Sequence, residues 1–153
     1  MFRRRAKESR SAQEPTDGDV ARAMGQFAEI FVEASGHEGH VLGWDAGSAQ
    51  KLDELCEVFL ASRPAKETMQ SMIVAMGAYL GELIVRNAGG RWTYDREHDV
   101  AVVEVEQHRL CFPHSKVAKR LTHGEEHGLL AFYEYASTGQ VPPGAQTTLL
   151  EPD

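Results

Sequence analysis

Cysteine is scarce in this chain: Cys56 and Cys111 are the two in 153 residues. Each lies in an apolar-patterned stretch. That predicts buried free thiols rather than a disulfide scaffold, and it suits a reducing cytoplasm. No C-x-x-C pair, glycine-rich phosphate loop or serine nucleophile elbow is present, which removes the simplest redox, nucleotide and acyl-transfer readings. No run approaches the ~18 apolar residues of a membrane span. The basic start has no apolar stretch behind it, so it does not read as a secretory signal. Positive charge is also short, and it is unevenly placed. The chain carries −7 overall, yet residues 1 to 10 hold five cations against Glu8, a balance of +4 that leaves −11 on the remainder. An acidic body disfavours phosphate contacts, so specific nucleic-acid binding is not expected. A small molecule, a neutral protein or a basic one is the better match.

What is there is ordinary for a globular protein, with 42% hydrophobic and 25% charged residues. Residues 1–17, rich in Arg, Ser, Glu and Gln, read as a disordered basic arm, either solvated or touching an acidic surface or phosphate. Residues 18–137 read as a single α+β domain, and 138–153 as an irregular tail with Pro142, Pro143 and Gly144. A first helix is expected over Asp19 to Ala34, capped by Asp17 or Asp19. Val20, Ala23, Met24, Phe27, Ile30 and Phe31 define its apolar face, and Gly36 stops it. A loop with four glycines and Trp44 follows. Ser48 is suited to cap a second helix to Ser62, which buries Leu52, Leu55, Cys56, Phe59 and Leu60 and leaves Asp53, Glu54 and Glu57 outside.

The third helix, Ala65 to Asn87, has the clearest pattern. Met69, Met72, Ile73, Met76, Leu80, Leu83 and Ile84 recur at helical spacing. A second stripe, Val74, Gly77, Ala78, Gly81 and Val85, is small in its middle, so another element can come close to the backbone there. Gly89 and Gly90 end the helix. Three short strands follow, Arg91 to Asp95, Val100 to Glu106 and Arg109 to Phe112, with Gln107 and His108 turning between the last two. Their short spacing predicts an antiparallel meander. After Pro113, Ser115 can cap a short helix, and a last helix is expected from Glu125 to Ser137. Helices, then strands, then helices make an α+β fold: N-terminal helices, a small antiparallel three-stranded sheet and C-terminal helices.

Three segments carry a resemblance: WDAGSAQKLDEL (Trp44 to Leu55), GAYLGELIVRNAGGRW (Gly77 to Trp92) and FPHSKVAKRLTHGEEHGLLAFYE (Phe112 to Glu134). With its GxYLGE…GGRW motif, the chain resembles a group of bacterial domains of unknown function. The resemblance, with the Ala, Gly and Arg content, implies a bacterial and actinobacterial origin. It also implies a small accessory protein, some similar ones being associated with toxin immunity. It brings no catalytic residues.

Candidate sites are few. His123 to His127 reads H-x-x-E-H, the string of inverted zinc proteases, but Gly124 separates His123 from the helix carrying His127. His108, Cys111 and His114 are soft-metal ligands at a strand end, where Cys111 and His108 point apart. His37 and His40 share a glycine-rich loop. None amounts to a metal site, and no cofactor is expected. Glu82 lies one turn from Arg86 in an apolar helix. It can pair with Arg86, accept hydrogen bonds from Arg91 or the Trp92 indole, or serve as a general acid or base. Lys116, Lys119 and Arg120 read as a solvent-facing basic patch. The candidate binding residues are Trp44, Asp45, Glu82, Arg91 and Trp92, with no catalytic residue among them. The expected function is therefore that of a cytoplasmic accessory protein that binds another protein, through the Gly36 to Gly47 loop or the acidic helix faces. The alternative is a small-molecule or metal-binding domain with its site between central helix and sheet, and an enzyme built on Glu82 ranks third. No membrane association is expected.

Overall fold

The computed structural model describes residues 14–106 and 109–140. Most of the expected basic arm, the turn at Gln107 and His108, and nearly all of the expected tail lie outside them. Among the described residues, five α-helices and a three-stranded antiparallel sheet follow the anticipated α+β order.

Helix α1 spans Asp17–His37. Its cap is Thr16, not Asp17 or Asp19. The Thr16 hydroxyl accepts from the Asp19 backbone N–H at 3.1 Å, and the Asp19 carboxylate accepts from the Thr16 N–H at 3.2 Å. This reciprocal box satisfies two of the free N–H groups at the helix start. Asp17 caps something else: its carboxylate accepts from the Tyr94 backbone N–H at 3.1 Å, on the outer strand of the sheet. The buried stripe is Val20, Ala28, Phe31 and Ser35, while Phe27 and Ile30 are exposed. Those two lie 40–100° around the helix from Phe31, on the flank of the buried face.

Helix α2 spans Ser48–Ala61 and buries Leu52 and Cys56. Ser48 is its first residue, not its cap; the hydroxyl instead donates to Asp45 at 3.0 Å. Helix α3, Lys66–Ala88, is the centre of the molecule, with every residue from Met76 to Ile84 buried. It packs against α1, the sheet and both C-terminal helices. By its length (23 residues) and the mean hydropathy of its most apolar 18-residue window (1.3) it is apolar enough to cross a membrane, a property that the run-length reading overlooked. Half of that apolar window is buried within the protein, and Val74 is exposed.

Strand β1 (Arg91–Asp95) pairs with β2 (Val100–Val105), and β2 with β3 (Arg109–Cys111), in the order β1-β2-β3. Trp92 stands opposite Val103, and Val103 opposite Cys111. With Val105 they put one sheet face into the core. Helix α4 spans Pro113–His123. It begins at the proline, whose missing N–H costs nothing in a first turn, so Ser115 is not its cap. The last expected helix is divided. A 3₁₀ turn, Glu125–His127, precedes α5, Leu129–Thr138, because Gly128 is extended.

The two α3 glycines act as their small stripe predicts. A Cβ on Gly77 would meet the His114 ring at 2.3 Å, and one on Gly81 would meet the Trp92 ring at 2.1 Å. The α4 start and the β1 tryptophan therefore rest on bare backbone, and close packing offsets the ~1 kcal/mol that each glycine costs in helix propensity.

Gly81→Ala should destabilise the protein by about 3 kcal/mol or more, because Trp92 has no room to retreat. Gly36→Ala, with open space around it in α1, should instead be neutral or stabilise by about 0.5–1 kcal/mol. Urea unfolding of the two variants checks both signs.

Candidate functional site

Two polar clusters sit against α3 and α2. In the first, Trp92 Nε1 donates to Glu82 Oε1 at 2.8 Å and Arg86 Nε donates to Glu82 Oε2 at 3.1 Å. Arg86 Nη2 reaches Glu29 of α1 at 2.9 Å. The same guanidinium lies 3.6 Å above the Trp44 ring, which in turn packs against Tyr79 at 5.2 Å. The Tyr79 hydroxyl donates to the Gly43 carbonyl, and burial pushes its pKa up to about 12. This chain of contacts ties the 43–44 loop, α1, α3 and β1 together. Glu82 is 8% exposed and each of its oxygens is engaged. One donor on each oxygen leaves each with a further lone pair. A concavity of ≈ 530 Å³, lined by Gly25, Glu29, Ile30, Glu82 and Arg86 among others, opens above it.

Three of the five candidate residues, Trp44, Glu82 and Trp92, thus meet through Arg86. Asp45 is exposed beside them, held by Ser48. Arg91 stands apart: it points away from the core and pairs with Glu104 across the sheet at 3.2 Å. The glutamate therefore takes the Trp92 indole and not Arg91.

The second cluster joins α2 to the C-terminal helices. Asp53 Oδ1 accepts from the Leu129 N–H and Oδ2 from the Leu130 N–H, both at 2.8 Å. A residue 76 positions upstream thereby caps α5, where Gly128 supplies no side chain. Arg120 Nε donates to Asp53 Oδ1 at 3.0 Å, and its Nη2 meets the Asp53 carbonyl at 3.2 Å and Glu57 at 2.9 Å. Arg120 is 2% exposed and Lys116 3%. These two cations, expected to face solvent, are instead buried against α2, and Asp53 is half-buried rather than outside. Burial, with Lys119 nearby, lowers the Lys116 pKa to about 8. Its Nζ lies 3.4 Å from His127 Nδ1.

Outside this clasp, two concavities lie on either side of Glu54 of α2, which lines both. One, ≈ 260 Å³, is lined by Asp53, Glu54, Glu57, Arg120, Glu125 and Gly128. The other, ≈ 290 Å³, lies between the 39–42 loop and α2, with Val41, Leu55, Val58 and Lys51 in its walls. Val41 is 75% and Val58 53% exposed. Sequence reading named the loop and the acidic faces as surfaces, but not these valines.

The histidines are dispersed. His37 lies 3.9 Å from Glu33 on the surface. His123 and His127 fall on different elements with ring centroids 5.6 Å apart. His114 is pressed on Gly77, and burial lowers its pKa to about 4, partly offset by a hydrogen bond with the Val74 backbone. His108 lies outside the described residues. Among the described residues no three metal-ligating side chains converge. Both thiols are free and buried, and burial pushes Cys56 up to about 12 and Cys111 to about 11, so neither is primed as a nucleophile.

The family model for a domain of unknown function (DUF3806) matches residues 49–133, from the start of α2 to within α5, and the chain belongs to that family. No curated protein and no solved structure matches the chain.

Asp53→Ala should cost about 3–5 kcal/mol, because it uncaps α5 and strands Arg120. Glu57→Gln, at a half-exposed pair, should cost under about 1 kcal/mol. Chemical denaturation of each separates them. The folded-state pKa of His114 is below its unfolded value, so the unfolded chain binds the extra proton. Stability should fall by on the order of 3 kcal/mol as pH drops from about 6.5 to about 4, and His114→Gln should flatten that limb. For Lys116 the same sign operates higher. Stability should rise between about pH 8 and 10.5, an effect that Lys116→Met should abolish in melts across that range.

Proposed function

We propose that this protein is a small bacterial accessory factor of the cytoplasm that works by binding another protein, in the manner of an immunity factor. The observation that supports this reading is the outer face of α2. There an apolar concavity with Val41 and Val58 exposed continues, through Glu54, into one rimmed by Glu57 and Glu125. An exposed aliphatic pair beside carboxylates suits a partner that presents an apolar side chain next to lysine or arginine. The acidic body would also draw a basic partner in from a distance.

The test is affinity capture from the native host with the wild-type chain and with Val41→Asp/Val58→Asp. One partner should be recovered stoichiometrically by the wild type and lost, at least tenfold, by the variant, with thermal stability unchanged. Equal recovery by both would overturn the assignment of this face. The ≈ 530 Å³ concavity over Glu82 and Arg86 favours a second reading, a small-molecule site between α1 and α3. A thermal-shift screen would support it with a ligand that stabilises the wild type but not Arg86→Ala.

A further inference from the structure

We propose that the concavity between α1 and α3 binds a primary aliphatic ammonium ion, with its N–H donors on Glu82 and Glu29 and its alkyl tail along Ile30. The inference rests on the reading of this concavity as a small-molecule site and adds the class of ligand.

Three observations carry it. The first is spare acceptor capacity on a buried carboxylate. A carboxylate offers about four lone-pair sites. Among the described residues Glu82 receives two donors, the Trp92 indole on Oε1 and Arg86 on Oε2. Its side chain is 11% exposed and lines the concavity together with Gly25, Glu29 and Ile30. A largely desolvated carboxylate with lone pairs to spare favours a further donor, and most of all a charged one.

The second is the sign of the charge. Arg86 is shared, with Nε on Glu82 and Nη2 on Glu29 at 2.9 Å, and its face is covered by the Trp44 ring at 3.6 Å. Arg22, also in the wall, pairs with Asp19 at 3.3 Å. Among the described residues of the wall, two carboxylates therefore face one shared guanidinium. That leaves one negative charge in excess, in a chain that is itself −7, and it favours a cation over a carboxylate or phosphate ligand. A metal ion is the poorer fit, because among the described residues no third metal-ligating side chain joins Glu82 and Glu29. An ammonium has three donors and no acceptor, which matches what these two carboxylates offer. Ile30, 63% exposed, gives the alkyl tail an apolar wall.

The third is shape. Gly25 lies well inside α1, yet it does not admit a close neighbour as Gly77 and Gly81 do. Among the described residues, a Cβ built on it would have Glu82 Oε1 alone within 4 Å, at 3.9 Å. A helix-interior glycine is unfavourable relative to alanine. Here the missing side chain leaves open the approach to that oxygen. The space, ≈ 530 Å³, exceeds either concavity beside α2 and lies within the range of small-molecule pockets.

The test titrates butylammonium chloride into the full ¹⁵N-labelled chain at fixed pH and ionic strength, beside 1-butanol and sodium butyrate. Amide shifts at residues 21–30 and 82–86 should saturate with butylammonium and not with the other two. The Kd should fall in the mM range, as suits a ligand of about five heavy atoms. Glu29→Gln, at the exposed carboxylate, should weaken binding about threefold or more. Gly25→Leu, which lays a side chain over Glu82 Oε1, should weaken it about tenfold or more while melting no lower than the wild type. No saturable shift with butylammonium, or equal binding by Gly25→Leu, would overturn the proposal. So would 1-butanol or butyrate binding as well as the amine, which would remove the ammonium and leave a small-molecule site standing. Silence of all three probes, and of a broad thermal-shift screen, would remove the site as well as its ligand.

Discussion

The close approach at Gly77 and Gly81 is the constraint on which the rest of the molecule depends. Only where α3 offers bare backbone can His114, Pro113 and Trp92 come down on it. Trp92, seated there, points its indole N–H at Glu82. Glu82 then orients Arg86, and Arg86 gathers Glu29 from α1 and Trp44 from the loop. On the neighbouring side, seating His114 sets where α4 lies, and hence where Lys116 and Arg120 enter the interface with α2. Sheet, first helix and C-terminal helices are thus positioned by two missing methyl groups, with the polar contacts following rather than leading.

Charge works differently in the two clusters. Around Glu82 the network is anionic at its centre and half-open, with Arg86 shared among a buried carboxylate, an exposed one and an aromatic ring. Around Arg120 the cation is the buried member, and the carboxylates come from α2. Burying a guanidinium costs several kcal/mol and is tolerable only when it is hydrogen-bonded. Asp53 and Glu57 occupy two of its edges, while Asp53 also serves the α5 terminus. One carboxylate therefore answers a buried cation and two otherwise orphaned N–H groups. The remaining guanidinium nitrogen, Nη1, is buried without a hydrogen-bond partner.

Much of this architecture was legible because it is local. The period of Met76, Leu80, Leu83 and Ile84, the small stripe between them, the Gly89–Gly90 stop and the alternation of β2 each follow from neighbours a few residues away. The indole contact of Glu82 was also accessible as one of three open readings, since a carboxylate in an apolar helix needs a donor. What escaped was tertiary. Lys116 and Arg120 look solvated on α4 alone. Arg120 is answered by Asp53 and Glu57 from a helix more than 60 residues earlier, and Lys116 Nζ lies beside His127 of the 3₁₀ turn, correspondences that no local window contains. In α1 the misreading came from composition, because Phe27 and Ile30 are apolar yet sit on the flank. At its start, two aspartates obscured the threonine that completes the box.

The Asp53 clasp also has a temporal side. Asp53 leaves the ribosome 76 and 77 residues before Leu129 and Leu130, the amides it will hold. Arg120, its guanidinium partner, arrives 67 residues after it. Through most of synthesis, then, α2 can set Cys56 against Met76 of α3 while its Asp53 carboxylate waits for its partners, and α5, at ten residues, is too short to hold its own turns in water. Closing a loop of this length comes late, after local helix and hairpin contacts have formed. The nascent chain therefore passes through a stage in which α3 and the meander can form while both partners of the clasp are exposed. The last segment of the family domain to emerge is the one that completes the fold.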